Sequence, residues 1–201
     1  MWKGFTGRAT RILCNLALDL RYGSFLGGTQ KTRFGTAGAH DTANSEYCAL
    51  KQIFAGRISP TDVLVDVGCG KGRVINWWLH QGVSNRIIGL ELDEEVAART
   101  AHRLRRHHNV SIIPGDAVQN LPADGTLFYL FNPFQSAVVT RFKNRILEIC
   151  TSKAMTILYY NCVCLNVFKD DPQFVVEEPE LNDEYSHRLH KFAVIRVSPR
   201  S

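Results

Sequence analysis

The sequence predicts an α/β fold built on a mostly parallel, seven-stranded sheet, with helices on both faces and an antiparallel hairpin at the C-terminal end. Three observations predict it. From residue 61 onward, near-continuous apolar runs of strand length alternate with segments of helical periodicity, the pattern of parallel strands buried on both faces. The first of these runs ends in a glycine-rich turn, Gly68-Cys69-Gly70-Lys71-Gly72, that opens a helix. The last two runs are joined by an acidic, proline-containing stretch instead of a helix, so they read as an edge hairpin.

Taken in order, residues 11–20 place Ile12, Leu13, Leu16, Ala17 and Leu20 at helical spacing and predict an amphipathic helix. Residues 23–38 hold five glycines and read as a loop with special backbone angles. A helix over 44–55, stopped at Gly56, leads into the repeating part. Strands are expected at 62–67, 86–90, 110–113, 126–131 and 155–160, with helices at 72–80, 93–107 and 135–150 between them. The tail contributes strands at 174–176 and 191–197. Two units follow: an N-terminal helix and glycine-rich lid segment, 1–43, and a cofactor-binding domain, 44–201. Of the paired Trp77 and Trp78, at least one is expected to pack helix against sheet.

Composition narrows the function classes. The chain has 201 residues, 45% hydrophobic and 21% charged, ordinary proportions for one soluble domain with a substantial core. No apolar run approaches a bilayer span, and the stretch 12–20 is interrupted by Asn15 and Asp19, so neither a transmembrane segment nor a signal peptide is expected and the cytoplasm is the expected location. The cysteines at 14, 48, 69, 150, 162 and 164 form no CxxC pair, and Cys162 and Cys164 read as buried thiols rather than metal ligands. The net charge of +5 is uneven: residues 1–60 hold eight Lys/Arg against three Asp/Glu, which accounts for the whole excess. That segment suits an anionic partner or is simply a solvated basic face.

The chemistry starts at Val65-Asp66-Val67-Gly68-Cys69-Gly70-Lys71-Gly72-Arg73. Glycines between a strand and a helix let the backbone turn sharply and let a ligand approach atoms that a Cβ would shield, and the helix N-terminus offers free N–H groups to a carboxylate. A dinucleotide site would need its third glycine one residue later, where Arg73 stands, and no Gly-Lys-Ser/Thr follows as a phosphate loop requires. Further along, Glu91-Leu92 ends the second strand, where an acid can accept both hydroxyls of a ribose. Gly115-Asp116-Ala117 follows the third, and Asn132-Pro133-Phe134 ends the fourth. All four elements lie beyond carboxyl ends of consecutive strands, the edge at which open α/β sheets bind ligands.

Over residues 44–160 the chain resembles the class I S-adenosylmethionine-dependent methyltransferase superfamily, and so implies a Rossmann-like sheet and S-adenosyl-L-methionine as cofactor. Asp66, Gly68, Gly70 and Gly72 match the first motif, which holds the methionine part. Glu91 matches the ribose-binding acid and Asp116 the adenine-contacting acid. The expected cofactor lining is completed by Cys69, Arg73, Leu92, Ala117, Asn132 and, from the helix before the first strand, Tyr47. The implied reaction is attack of a nucleophile on the sulfonium methyl, releasing S-adenosylhomocysteine.

Asn132-Pro133-Phe134 is similar to the Asn/Asp-Pro-Pro-aromatic motif of amino-group methyltransferases, with one proline where that motif has two. The resemblance gives these residues catalytic roles: the Asn oxygen and the Pro carbonyl accept from the target amine and the aromatic ring supports the substrate plane. Tyr159-Tyr160-Asn161 can line the same pocket. Oxygen methylation of a small molecule is the alternative and needs a base, for which His40 and His187 are candidates. The acceptor, small molecule or protein, is not legible. A cofactor- or RNA-binding module is a further alternative, since Arg99, Arg103, Arg105, Arg106, His107 and His108 can form a phosphate-binding stripe, although no aromatic residue is interleaved for base stacking.

Overall fold

The computed structural model describes residues 12–13, 15–26, 45–182 and 190–199. Its sheet has seven strands in the order β3-β2-β1-β4-β5-β7-β6. They are β1 Leu64–Val67, β2 Ile87–Glu91, β3 Val110–Pro114, β4 Leu127–Phe131, β5 Met155–Tyr160, β6 Phe174–Glu177 and β7 Phe192–Val197. β1 to β5 run parallel, and β7 lies antiparallel between β5 and β6. This is the sheet predicted from the alternation of apolar runs, hairpin included. Every residue of β1 and β2 is buried, whereas the edge strands β3 and β6 are only partly covered.

Five labelled helices complete the layers: α1 Tyr47–Phe54, α2 Arg73–His80, α3 Glu94–Leu104, α4 Ser136–Ile149 and α5 Asn166–Lys169. One face of the sheet carries α1 and α2, whose Leu50, Ile53, Phe54, Trp77 and Trp78 join Leu64, Tyr129 and Leu158 in one core. Both tryptophans pack: Trp77 stacks on Phe54 at 5.2 Å between centroids, and Trp78 meets the same ring edge-on at 5.3 Å. The other face carries α4 and α5, with Phe142, Ile146 and Phe168 against Val65, Phe128 and Tyr159. The short α5 was not anticipated, and α3 stops at Leu104, three residues before its predicted end. There the Arg105 guanidinium turns back onto the His102 carbonyl, which satisfies an otherwise orphaned acceptor of the last turn.

Residues 15–21 are helical and reverse the facing that their apolar spacing suggests. Asp19 is fully buried, while Leu13 and Leu20 are 63% and 56% exposed. Asn15 and Asp19, one helical turn apart, face inward: Asn15 donates to Glu46, and Asp19 accepts from Arg73, Tyr47 and the Leu26 N–H. A buried guanidinium at the start of α2 demands an anion, and that demand outweighs the burial of two leucines. Cys14, His40, His187 and the glycine-rich stretch from residue 27 to 43 lie outside the described residues. Among the described residues no helix is long and apolar enough to cross a membrane, and no His/Cys/Asp/Glu group could hold a metal ion. The cysteines described, 48, 69, 150, 162 and 164, form no disulfide with one another.

Candidate active site

The sheet order reverses between β1 and β4, so their connections leave in opposite directions and open a crevice at the strands' carboxyl ends. The glycine turn fills one side of it. Gly68, Gly70 and Gly72 have φ of 76°, 50° and 76°, a left-handed alternation that side-chain-bearing residues adopt at a cost. At Gly68 a Cβ would stand 3.1 Å from the Pro133 Cβ, so the turn's path and the Asn132-Pro133-Phe134 segment are in contact because no side chain intervenes.

The turn is strapped on three sides. Its Gly68 and Cys69 N–H groups donate to the Leu90 carbonyl at 2.9 and 2.8 Å. From α3, Thr100 Oγ1 donates to the Gly70 carbonyl at 2.9 Å and Arg103 Nη2 to the Lys71 carbonyl at 2.6 Å. Arg103 also donates to the Tyr22 carbonyl and to Asn76 Oδ1, at 2.7 and 2.9 Å, so one guanidinium ties the N-terminal helix, α2 and the turn together. Sequence reading had placed Arg103 in an exposed basic stripe. Its neighbours Arg99, Arg105 and Arg106 are exposed, but Arg103 is held inside by these carbonyls.

Glu91, 8% exposed, closes the third side. Its Oε2 accepts from the Gly70 N–H at 2.8 Å and its Oε1 from the Asp93 N–H at 2.9 Å. Burial pushes its carboxyl up, and these backbone donors pull it back. Each oxygen keeps a second lone pair. Asp66 is buried deeper, at 3% exposure, and its Oδ2 has no partner. Burial, reinforced by the charge of Glu91, pushes its carboxyl up to about 8. An unpartnered carboxylate oxygen beside a cradle of glycines is a poor arrangement alone and a good one for a ligand carrying an amino cation. No side chain caps the first turn of α2, which leaves its N–H groups for an anion. Residues present therefore fit a zwitterionic amino-acid end next to a ribose.

Beyond β3, Asp116 Oδ1 accepts from the Val118 N–H at 2.8 Å and Oδ2 pairs with Arg141 at 3.0 Å. Ala117 is buried and Leu92 half-buried. At the ends of β4 and β5, Asn132 and Asn161 are the two non-glycine residues with positive φ among those described, 39° and 52°. Tyr159 donates its hydroxyl to Asn132 Oδ1 at 3.2 Å. Next to it Phe131 stacks on Tyr160 at 4.9 Å, and the His190 ring lies 5.6 and 5.4 Å from the two.

Three residues expected at the site are engaged elsewhere. The Phe134 ring is buried in the core, 6.3 Å from Phe142. Tyr47 donates to Asp19 at 2.8 Å and lies under the Arg73 guanidinium at 5.5 Å. The Arg73 side chain pairs with Asp19, so only its backbone, at the start of α2, faces the turn's role. Asp19, Thr100, Arg103, Phe131 and His190 were not read as parts of the site. Only Asp19 carried a signal, as an acid breaking an apolar helical run.

Residues 64–150 match the family described as a methyltransferase domain. The match covers less than half of the chain, and over it the chain is similar to methyltransferases. Its fold is similar to that of solved methyltransferases at low sequence identity. A methyltransferase from Pyrococcus furiosus superposes with a TM-score of 0.64 at 13% identity, over 97% of this chain and 100% of that one. A putative O-methyltransferase from Klebsiella pneumoniae gives 0.59 at 14%, over 98% and 96%. An RNA methyltransferase from Salinibacter ruber, in complex with S-adenosyl-L-homocysteine, gives 0.59 at 16%, over 79% and 95%. None of the curated proteins matches this sequence. The strapped glycine turn lies in the matched segment.

Proposed function

We propose that this methyltransferase transfers its methyl group to an amine nitrogen held at Asn132. The cofactor, when bound, supplies the electrophilic sulfonium methyl. Asp66 and the uncapped first turn of α2 hold its amino-acid end, Glu91 accepts from its ribose hydroxyls, and Asp116 with Ala117 flanks its adenine. Asn132 serves both sides: it borders the cofactor through the Gly68–Pro133 contact and presents its oxygen to the acceptor.

The observation that carries the reading is the Tyr159 hydroxyl on Asn132 Oδ1. An asparagine held at positive φ and oriented by a neighbouring strand has a fixed acceptor oxygen, with one lone pair left for an N–H of the acceptor. Such a contact orients the nitrogen lone pair towards the methyl and eases loss of its proton after transfer. The Phe134 ring packs against Phe142, and the half-buried Phe131 is the aromatic residue that takes the supporting place. The acceptor is a small molecule or a protein amine, and we place the enzyme in the cytoplasm.

Asn132→Ala should reduce turnover by about a hundredfold or more, the scale of a lost positioning contact, while S-adenosylhomocysteine binding stays within a few-fold. Equal loss of turnover and binding would overturn the acceptor role. His190, beside Phe131 and Tyr160, supports a second reading in which it is the base for an oxygen acceptor. Fragmentation of the methylated product, amine against ether or ester, separates the two.

A further inference from the structure

The N-terminal helix leaves its apolar side uncovered. Ile12, Leu13, Leu20 and Phe25 are 52%, 63%, 56% and 58% exposed. Leu13, Ala17 and Leu20 recur at helical spacing on one stripe, with all three exposed, while Asn15 and Asp19 on the opposite side make the contacts to the domain. Four such side chains on one short stretch exceed the scattered apolar exposure of an ordinary surface, and mark a face that something covers.

The surroundings say what covers it. Continuing from Leu20, residues 21–26 form one wall of an open groove of about 1040 Å³ whose other wall is α3 and the turn after it. Arg21, Lys71, Arg99, Arg105, Arg106 and His102 line this groove, and among the described residues no Asp or Glu does. Among the described residues, Arg99 alone of these arginines has an acidic partner, Glu95, in an exposed pair of small worth. Phe25 sits among these cations. Lys3, Arg8 and Arg11 precede the helix in sequence, and the first 60 residues carry the whole net charge.

We propose that this face docks the enzyme on an anionic membrane surface, the aliphatic side chains entering the interface and the groove arginines meeting lipid phosphates. The pairing of aliphatic with cationic exposure decides for lipid. A second copy would bring like charges together, and a polynucleotide has no use for exposed Ile and Leu, since its bases are held by aromatic stacking and its backbone by cations alone. Asn15 and Asp19 hold the helix to the domain from its opposite side, so membrane contact through the apolar stripe leaves those bonds in place.

The full chain is sedimented with vesicles of phosphatidylcholine alone and of phosphatidylcholine mixed with phosphatidylglycerol, at low and high salt. It should bind the mixed vesicles, release as salt rises, and ignore the neutral ones. Leu13→Asp with Leu20→Asp, both at solvent-exposed positions, should weaken binding by about tenfold or more at unchanged melting temperature and S-adenosylhomocysteine affinity. Arg21→Glu with Arg106→Glu should do the same and flatten the salt dependence. Wild type that stays in solution with anionic vesicles overturns the proposal, as does binding that both double variants retain. It is also overturned if the Leu13→Asp/Leu20→Asp protein loses a concentration-dependent dimer instead of vesicle binding, or if a short RNA binds the groove and vesicles do not.

Discussion

Replacing Glu91 by Gln separates the observed strapping of the glycine turn from the ribose contact proposed for the same carboxylate. The side chain keeps its volume and its 8% exposure but loses its charge, and one of its two oxygens becomes an NH2 group. The carboxylate now accepts from the Gly70 and Asp93 N–H groups at 2.8 and 2.9 Å. An amide nitrogen facing either donor cannot accept, so one charge-assisted bond is lost and the other becomes neutral. With charge-assisted bonds worth about 1.5–3 kcal/mol and neutral ones about 0.5–1.5, the loss is about 2–4 kcal/mol before relief of desolvation is subtracted. Because burial already pushes the Glu91 carboxyl up, that relief is real, and a net destabilisation of about 1–2 kcal/mol is expected. The cofactor loses one ribose acceptor at the same time, about 1.5–3 kcal/mol, or roughly tenfold to a hundredfold in affinity. Isothermal titration with S-adenosylhomocysteine and urea denaturation of the same preparations read both quantities. Unchanged affinity in a destabilised Glu91→Gln protein would refute the ribose role and leave Glu91 as a strap of the turn. Unchanged stability with weakened binding would refute the strap.

Two further outcomes follow from buried charges. Asp66 has a folded-state value of about 8 against an ordinary 3.8, so the folded protein holds a proton that the unfolded chain has released between those values. The contribution of Asp66 to the stability of the cofactor-free protein should therefore be greatest below about 4, fall as pH rises to about 8, and level off above it; a difference in urea midpoint between wild type and Asp66→Asn that stays constant across that range would refute the assignment. Asp19→Ala strands the Arg73 guanidinium, which is 6% exposed, and should cost about 3–5 kcal/mol, most of it recovered when Arg73→Met is added. A loss below about 1 kcal/mol in urea denaturation would mean that the N-terminal helix is not part of the folded unit.

Local signals in the chain carry the architecture. Apolar runs broken at regular intervals determine strands and helices, because a parallel strand buried on both faces has little freedom in its composition. The hairpin was legible for the converse reason, that no helical segment separates 174–176 from 191–197. The glycine turn, Glu91, Asp116 and Asn132 were legible because each sits where a strand ends and the chain must turn, and there backbone geometry restricts residue type.

What escaped the sequence was every long-range contact in which a polar group is satisfied. The Asp19–Arg73 pair spans 54 positions, the Tyr22 carbonyl meets Arg103 across 81, and Tyr159 reaches Asn132 from a neighbouring strand. The N-terminal helix shows the limit most clearly. Its periodicity determined that it is amphipathic, but not which side turns inward. Only the folded structure decided that, by placing a buried guanidinium where two carboxylate oxygens outweigh two leucines, so the apolar stripe was left facing out.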